Sequence, residues 1–124
     1  MTLTVLTVLI ADDEPNILVS LEFMLRREGH RILTAHDGTE ALDLIRRERP
    51  ALVLMDATMP GLTGFEVCEA VRADPSIAGT RILMLSAKAR PTDIARGLGA
   101  GADAYVTKPF SAAELLERVR GLLT

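Results

Sequence analysis

The chain lacks a second cysteine. Cys68 stands alone among 124 residues, so no internal disulfide can form, and this usage fits a reducing compartment. In Gly64-Phe65-Glu66-Val67-Cys68-Glu69-Ala70-Val71, the residues Phe65, Cys68 and Val71 recur at near-helical spacing. That pattern makes Cys68 a small core residue, and no histidine stands near it to make it a nucleophile. A dense basic patch is also missing. The net charge is −3, from 14 basic and 17 acidic side chains, which leaves the domain without the electrostatic footprint of nucleic-acid binding. Long apolar runs are absent as well. The N-terminal segment MTLTVLTVLIADDE holds an apolar stretch of about eight residues, too short to span a bilayer. No Lys or Arg precedes that stretch, and two acids follow where a secretory leader needs a small-residue cleavage site. The segment reads as a strand of a cytoplasmic protein with no membrane partner.

What is present has the balance of a folded domain: 48% hydrophobic and 25% charged residues. The length suits one core, so residues 1–124 are expected to form one domain. Short apolar runs at Val5–Ala11, Arg31–Ala35, Ala51–Asp56, Arg81–Ser86 and Ala104–Thr107 predict strands. Helices are predicted between and after them, at Pro15–Arg27, Gly38–Arg47, Gly64–Ala73, Pro91–Gly97 and Ser111–Leu123. In the first helix Ile17, Leu18, Leu21, Met24 and Leu25 follow the helical period, and Gly29 closes it. In the last, Ser111 and Glu114 form a capping-box pattern. No linker, low-complexity segment or repeat interrupts this order. Five strands alternating with five helices predict a three-layer α/β fold with a parallel sheet. Right-handed crossovers then favour the flavodoxin-like (βα)5 arrangement, with strand order 2-1-3-4-5.

Ligand sites in such sheets lie beyond the carboxyl ends of the strands, near the switch point between the first and third. The residues at those ends are Asp12-Asp13, Asp56, Ser86 and Thr107-Lys108-Pro109. Three carboxylates therefore converge. Two unit charges about 5 Å apart repel by roughly 3 kcal/mol at an effective dielectric of about 20, so a shared cation is needed. A hard divalent ion that accepts oxygen ligands and keeps some waters, Mg²⁺ (or Mn²⁺), answers that need. Lys108 adds a further positive charge.

Asp12-Asp13, Asp56 followed by Met59-Pro60-Gly61, Ser86-Ala87-Lys88, Gly101-Ala102-Asp103-Ala104-Tyr105 and Lys108-Pro109-Phe110 together resemble the response-regulator receiver domain of two-component signalling. The resemblance runs along essentially the whole chain. It implies that Asp56 takes a phosphoryl group from a sensor histidine kinase or phosphotransfer protein. It also implies that Asp12, Asp13, Asp56 and the Thr58 backbone carbonyl hold Mg²⁺, that Lys108 assists the transfer, and that the Lys108–Pro109 bond is cis. Ser86 and Tyr105 occupy the positions of the family's switch pair, so signalling would run through the surface of the fourth helix, fifth strand and fifth helix to an output domain or target protein. A hydrogen bond from Ser86 to a charged phosphoryl oxygen is worth about 1.5–3 kcal/mol, enough to shift a two-state equilibrium about ten- to a hundred-fold. The domain would act as a signalling module rather than an enzyme. Thr58 and Lys88 stand where relatives tune dephosphorylation. Ala104 replaces a second aspartate that, in receivers attached to winged-helix factors, often pairs with an arginine matching Arg118; that pair cannot form here.

Other readings fare worse. Gly97-Leu98-Gly99-Ala100-Gly101-Ala102 satisfies the dinucleotide pattern G-x-G-x-x-A, but that motif needs a strand before it and a helix after it. Here the order is reversed, and the glycines are expected to end the fourth helix. Flavin binding is opposed by Asp12-Asp13-Glu14, which repel a phosphate. An aspartyl-phosphate phosphatase wants Asp-x-Asp after a strand and a cap domain, neither of which this sequence contains. A receiver-like interaction module that is never phosphorylated usually lacks an acid or the lysine, and both are kept. His30 and His36 are expected on the surface, too isolated for a metal site.

Overall fold

In the computed structural model, residues 5–124 are described. The elements are β1 (Thr7–Ala11), α1 (Pro15–Arg27), β2 (Arg31–Ala35), α2 (Gly38–Glu48) and β3 (Leu52–Asp56). They continue with α3 (Gly64–Ala73), β4 (Arg81–Ser86), α4 (Pro91–Ala100), β5 (Ala104–Thr107) and α5 (Ala112–Leu123). All neighbouring strands are parallel, in the order β2-β1-β3-β4-β5. This is the flavodoxin-like arrangement expected from the alternation of apolar runs.

Side chains alternate across each strand, so each strand feeds both faces of the sheet. Leu9, Val53, Met55, Ile82 and Met84 join Ile45, Phe65, Cys68 and Val71 under α2, α3 and α4. Val8, Ile10, Leu52, Leu54 and Leu83 pack on Leu18, Leu21, Leu25, Leu115 and Val119 of α1 and α5. Burial on both faces is why β3 reads as an unbroken apolar run.

Five boundaries differ from those expected from sequence: α2 ends one residue later at Glu48, β3 and α5 each begin one residue later at Leu52 and Ala112, and β1 and α4 differ by more. β1 begins at Thr7, not Val5, because the flanking strands begin there: Thr7 pairs with Arg31 and Val8 with Leu52. Val5 is exposed, and residues 1–4 of the N-terminal segment lie outside the described residues. α4 runs on to Ala100, so Gly97 and Gly99 are interior helical residues rather than a stop. Gly101, at φ +115°, makes the stop, with Gly101 N–H on the Leu98 carbonyl and Ala102 N–H on the Gly97 carbonyl, each at 3.1 Å. The order helix–glycines–strand excludes a dinucleotide loop. Ser111 caps α5 by accepting the Glu114 N–H at 3.1 Å. The reciprocal capping box instead forms at α3, where Glu66 N–H reaches Thr63 Oγ1 at 3.1 Å and Thr63 N–H reaches Glu66 Oε1 at 3.0 Å. His36 is on the surface, with Nδ1 3.4 Å from Glu40. His30 is half-buried, and its Nδ1 has no hydrogen-bond partner among the described residues.

Arg72 at the end of α3 staples the far side of the fold. Its guanidinium donates to the carbonyls of Gly101 and Ala78, each at 2.9 Å, to the Thr80 carbonyl, and to Asp103 at 3.0 Å. Asp103 also accepts the Ile82 N–H at 2.8 Å. Arg72→Ala is expected to lower the unfolding free energy by about 2–4 kcal/mol, measured by urea denaturation, and Arg72→Lys to recover only part because it lacks the planar fork. Cys68 is fully buried, and burial pushes its thiol pKa up to about 11. It should therefore resist thiol reagents at pH 8 in the native protein and react only as the chain unfolds in denaturant. Rapid labelling without denaturant would contradict this.

Candidate functional site

The carboxyl ends of β1, β3, β4 and β5 share one edge of the sheet. Asp56 is the last residue of β3, paired with Leu85 of β4, and Asp12 follows β1 with its N–H on the Ala35 carbonyl at 3.1 Å. Asp56 is 5% exposed and Asp12 is 1% exposed, whereas Asp13 faces solvent. Carboxylate oxygens of Asp12, Asp13 and Asp56 lie within 4.8 Å of one another. The three acids inferred from the strand ends are thus brought together.

Each buried carboxylate divides its oxygens in the same way. Asp12 Oδ1 accepts the Glu14 N–H at 2.9 Å, and Asp56 Oδ1 accepts the Thr58 N–H at 3.0 Å and the Thr58 hydroxyl at 3.3 Å. The other oxygens meet the ammonium of Lys108, whose Nζ is 2.9 Å from Asp12 Oδ2 and 3.0 Å from Asp56 Oδ2. Lys108 directly follows β5, its bond to Pro109 is cis, and its N–H is tied to the Ser86 carbonyl at 2.8 Å. Buried charge requires this pairing.

The electrostatics follow. Burial raises the Asp12 carboxyl above the usual carboxylate range, against the lowering by the Glu14 amide and Lys108. Burial by itself would lower the Lys108 ammonium, but its hydrogen bonds to Asp12 and Asp56 and the charges of both outweigh it and raise its pKa. One ammonium against three carboxylates leaves two formal negative charges uncompensated. An all-oxygen cluster with that deficit fits a hard divalent cation, so Asp12, Asp13 and Asp56 could hold Mg²⁺.

Ser86, at the end of β4, is completely buried, and its Oγ accepts the Lys88 N–H at 3.1 Å. Tyr105 pairs with Met84 within the sheet, is half-buried, and donates its hydroxyl to the Lys88 carbonyl at 2.7 Å. Both residues named from the sequence therefore hold the main chain of one residue, Lys88. Thr58 meets Asp56 through its amide and hydroxyl.

Two contributors escaped the sequence reading. Glu14 approaches Lys108 at 3.5 Å; its place directly after Asp12-Asp13 was the available signal. Gly64, at the start of α3, donates its N–H to the Ala57 carbonyl at 2.9 Å, and a Cβ there would run into the Asp56 carbonyl oxygen. That close approach seats α3 on the Asp56 backbone, and only glycine permits it.

Architecture and acid cluster define a class: a flavodoxin-like α/β domain with a metal-competent carboxylate trio at its topological switch point. The response regulator receiver domain pattern matches residues 8–120, and the chain belongs to that family of two-component signalling domains. It is 44% identical over 116 residues to the DNA-binding response regulator MtrA of Mycolicibacterium smegmatis, covering 94% of this chain and 50% of that protein. The chain thus spans about half the length of this curated relative. Among solved structures, the chemotaxis response regulator CheY4 of Vibrio cholerae superposes with a TM-score of 0.90 at 34% identity, over 97% of this chain and 100% of that one. The receiver domain of sensor histidine kinase PA1611 from Pseudomonas aeruginosa, solved with a magnesium ion coordinated in its active site cleft, matches with a TM-score of 0.89 at 31% identity, over 97% of this chain and 98% of that one.

Saturating Mg²⁺ is expected to stabilise the wild type, by about 2.7 kcal/mol at a hundredfold excess over Kd, read as a rise in Tm. Asp12→Asn and Asp13→Asn should each suppress the rise, and a monovalent salt at equal ionic strength should not reproduce it.

Proposed function

We propose that Asp56 is the phosphoacceptor of the domain, which extends over residues 1–124, and that its phosphorylation by a histidine kinase or phosphotransfer protein switches the α4-β5-α5 surface. The single observation behind this reading is the buried Asp56 carboxylate shared with Asp12 through one lysine ammonium.

In the transfer, an Asp56 carboxylate oxygen attacks the phosphorus of a phosphohistidine. The new O–P bond gives an acyl phosphate while the N–P bond breaks, and the bonding pair leaves with the imidazole. The Thr58 amide and hydroxyl hold the Asp56 carboxylate in plane before attack. Lys108, already between Asp12 and Asp56, turns its ammonium protons to the incoming phosphoryl oxygens. When bound by Asp12, Asp13, Asp56 and the Thr58 carbonyl, Mg²⁺ (or Mn²⁺) supplies charge neutralisation for those oxygens. Ser86 then rotates its hydroxyl toward the phosphoryl group and releases the Lys88 amide, and Tyr105, bonded to the other side of Lys88, follows.

The domain promotes only its own phosphorylation and dephosphorylation. Its output passes to an attached domain or a separate target; the DNA-binding relative supports the first. A cytoplasmic location fits the kinase chemistry and the absence, among the described residues, of any helix long and apolar enough to cross a membrane.

Incubation with Mg²⁺ and a small phosphodonor, followed by intact mass, tests the reading. The wild type should gain one phosphoryl group and Asp56→Asn none, while Lys108→Ala should slow the gain by roughly tenfold or more. A wild type that stays unmodified, or an Asp56→Asn variant modified equally well, would leave the non-phosphorylated interaction module as the better account.

A further inference from the structure

We propose that Gly97 is the seat of Tyr105: the missing side chain lets the phenol ring lie on the α4 backbone and so ties this helix to the loop held by Ser86. Glycine inside a helix is destabilising relative to alanine, and α4 contains two, Gly97 and Gly99. They differ in surroundings. A Cβ added at Gly99 would meet nothing within 4 Å. A Cβ added at Gly97 would lie 2.7 and 2.8 Å from Tyr105 Cδ2 and Cε2 and 3.3 Å from Met84 Sδ, closer than packed carbon atoms approach. Gly97 is therefore occupied by the edge of the Tyr105 ring, where a methyl would otherwise sit.

The ring is held at two points. Its edge rests on Gly97, and its hydroxyl donates to the Lys88 carbonyl at 2.7 Å. Lys88 N–H in turn donates to Ser86 Oγ at 3.1 Å. A continuous path of contacts thus runs from the buried Ser86 hydroxyl, through the peptide groups of one residue and one phenol, to the middle of α4. A methyl at residue 97 forces the ring off its seat, loosens its bond to Lys88 and frees α4 from the loop. The consequence for signalling rests on the reading of Ser86 and Tyr105 as the switch pair; the seat itself does not.

The test uses the whole chain. With one tyrosine and no tryptophan, intrinsic emission reports Tyr105 alone. In Mg²⁺ without phosphodonor, Gly99→Ala should raise Tm by about 2–5 °C, as an ordinary helix substitution does, and leave acrylamide quenching of Tyr105 unchanged. Gly97→Ala should lower Tm by a similar amount and increase the quenching. In a Tyr105→Ala background Gly97→Ala should reverse sign and raise Tm, an outcome that remains measurable if Gly97→Ala alone folds poorly. The proposal is overturned if Gly97→Ala stabilises the tyrosine-containing protein as Gly99→Ala does, if quenching stays at the wild-type level, or if the sign does not reverse. After phosphodonor, Gly97→Ala should gain the same phosphoryl mass as wild type while losing the change in Tyr105 emission that follows modification; a retained change overturns the coupling. A wild type without adduct defeats the phosphoacceptor reading and leaves the seat to the metal-only measurements.

Discussion

Asp12 and Asp56 are almost wholly buried on neighbouring strands, and the Lys108 ammonium, 2.9 and 3.0 Å from their oxygens, is the interaction on which the site depends. Two desolvated carboxylates side by side are unfavourable without a cation. Lys108 supplies one charge from just beyond β5 and bridges the acids at the ends of β1 and β3. The compensation is incomplete, because Asp13 and Glu14 add further negative charge at the rim. The residual deficit is one that a divalent cation held by these oxygens could neutralise.

Around this centre, the helices and loops are held by different kinds of contact. Gly64 seats α3 on the Asp56 backbone, and Arg72 locks α3, the loop before β4 and the end of α4 through carbonyl oxygens and Asp103. In the β4–α4 loop Lys88 is held by two single hydrogen bonds, one from its amide to Ser86 and one to its carbonyl from Tyr105, while Arg90 is tied to Asp93 at the start of α4. Single hydrogen bonds of this kind are each worth only about 0.5–1.5 kcal/mol, so under the proposed function this loop is where a change of charge at Asp56 would be felt first.

Much of this was legible in the sequence. The apolar runs located the five strands because both sheet faces are covered, and parallel topology then placed Asp12, Asp13, Asp56, Ser86 and Lys108 at one edge. What failed were judgements that require neighbours. Val5 is as apolar as the residues after it, but no strand lies beside it. Gly97 and Gly99 look like a helix stop, yet α4 runs through both to Ala100 and Gly101 makes the stop. The Ser111–Glu114 and Thr63–Glu66 pairs have the same spacing, and only the second closes a full box.

By itself, then, the sequence determined the class of fold and the family, and it named the polar side chains that share one sheet edge, since these follow from hydrophobic period, element order and motif. Only the tertiary structure decided which oxygen of each acid faces Lys108, that Ser86 and Tyr105 grip opposite sides of Lys88, and that the Tyr105 ring lies where a side chain at residue 97 would be. Those facts are distances of a few ångströms between residues far apart in the chain, and local pattern carries no information about them until the strands are packed.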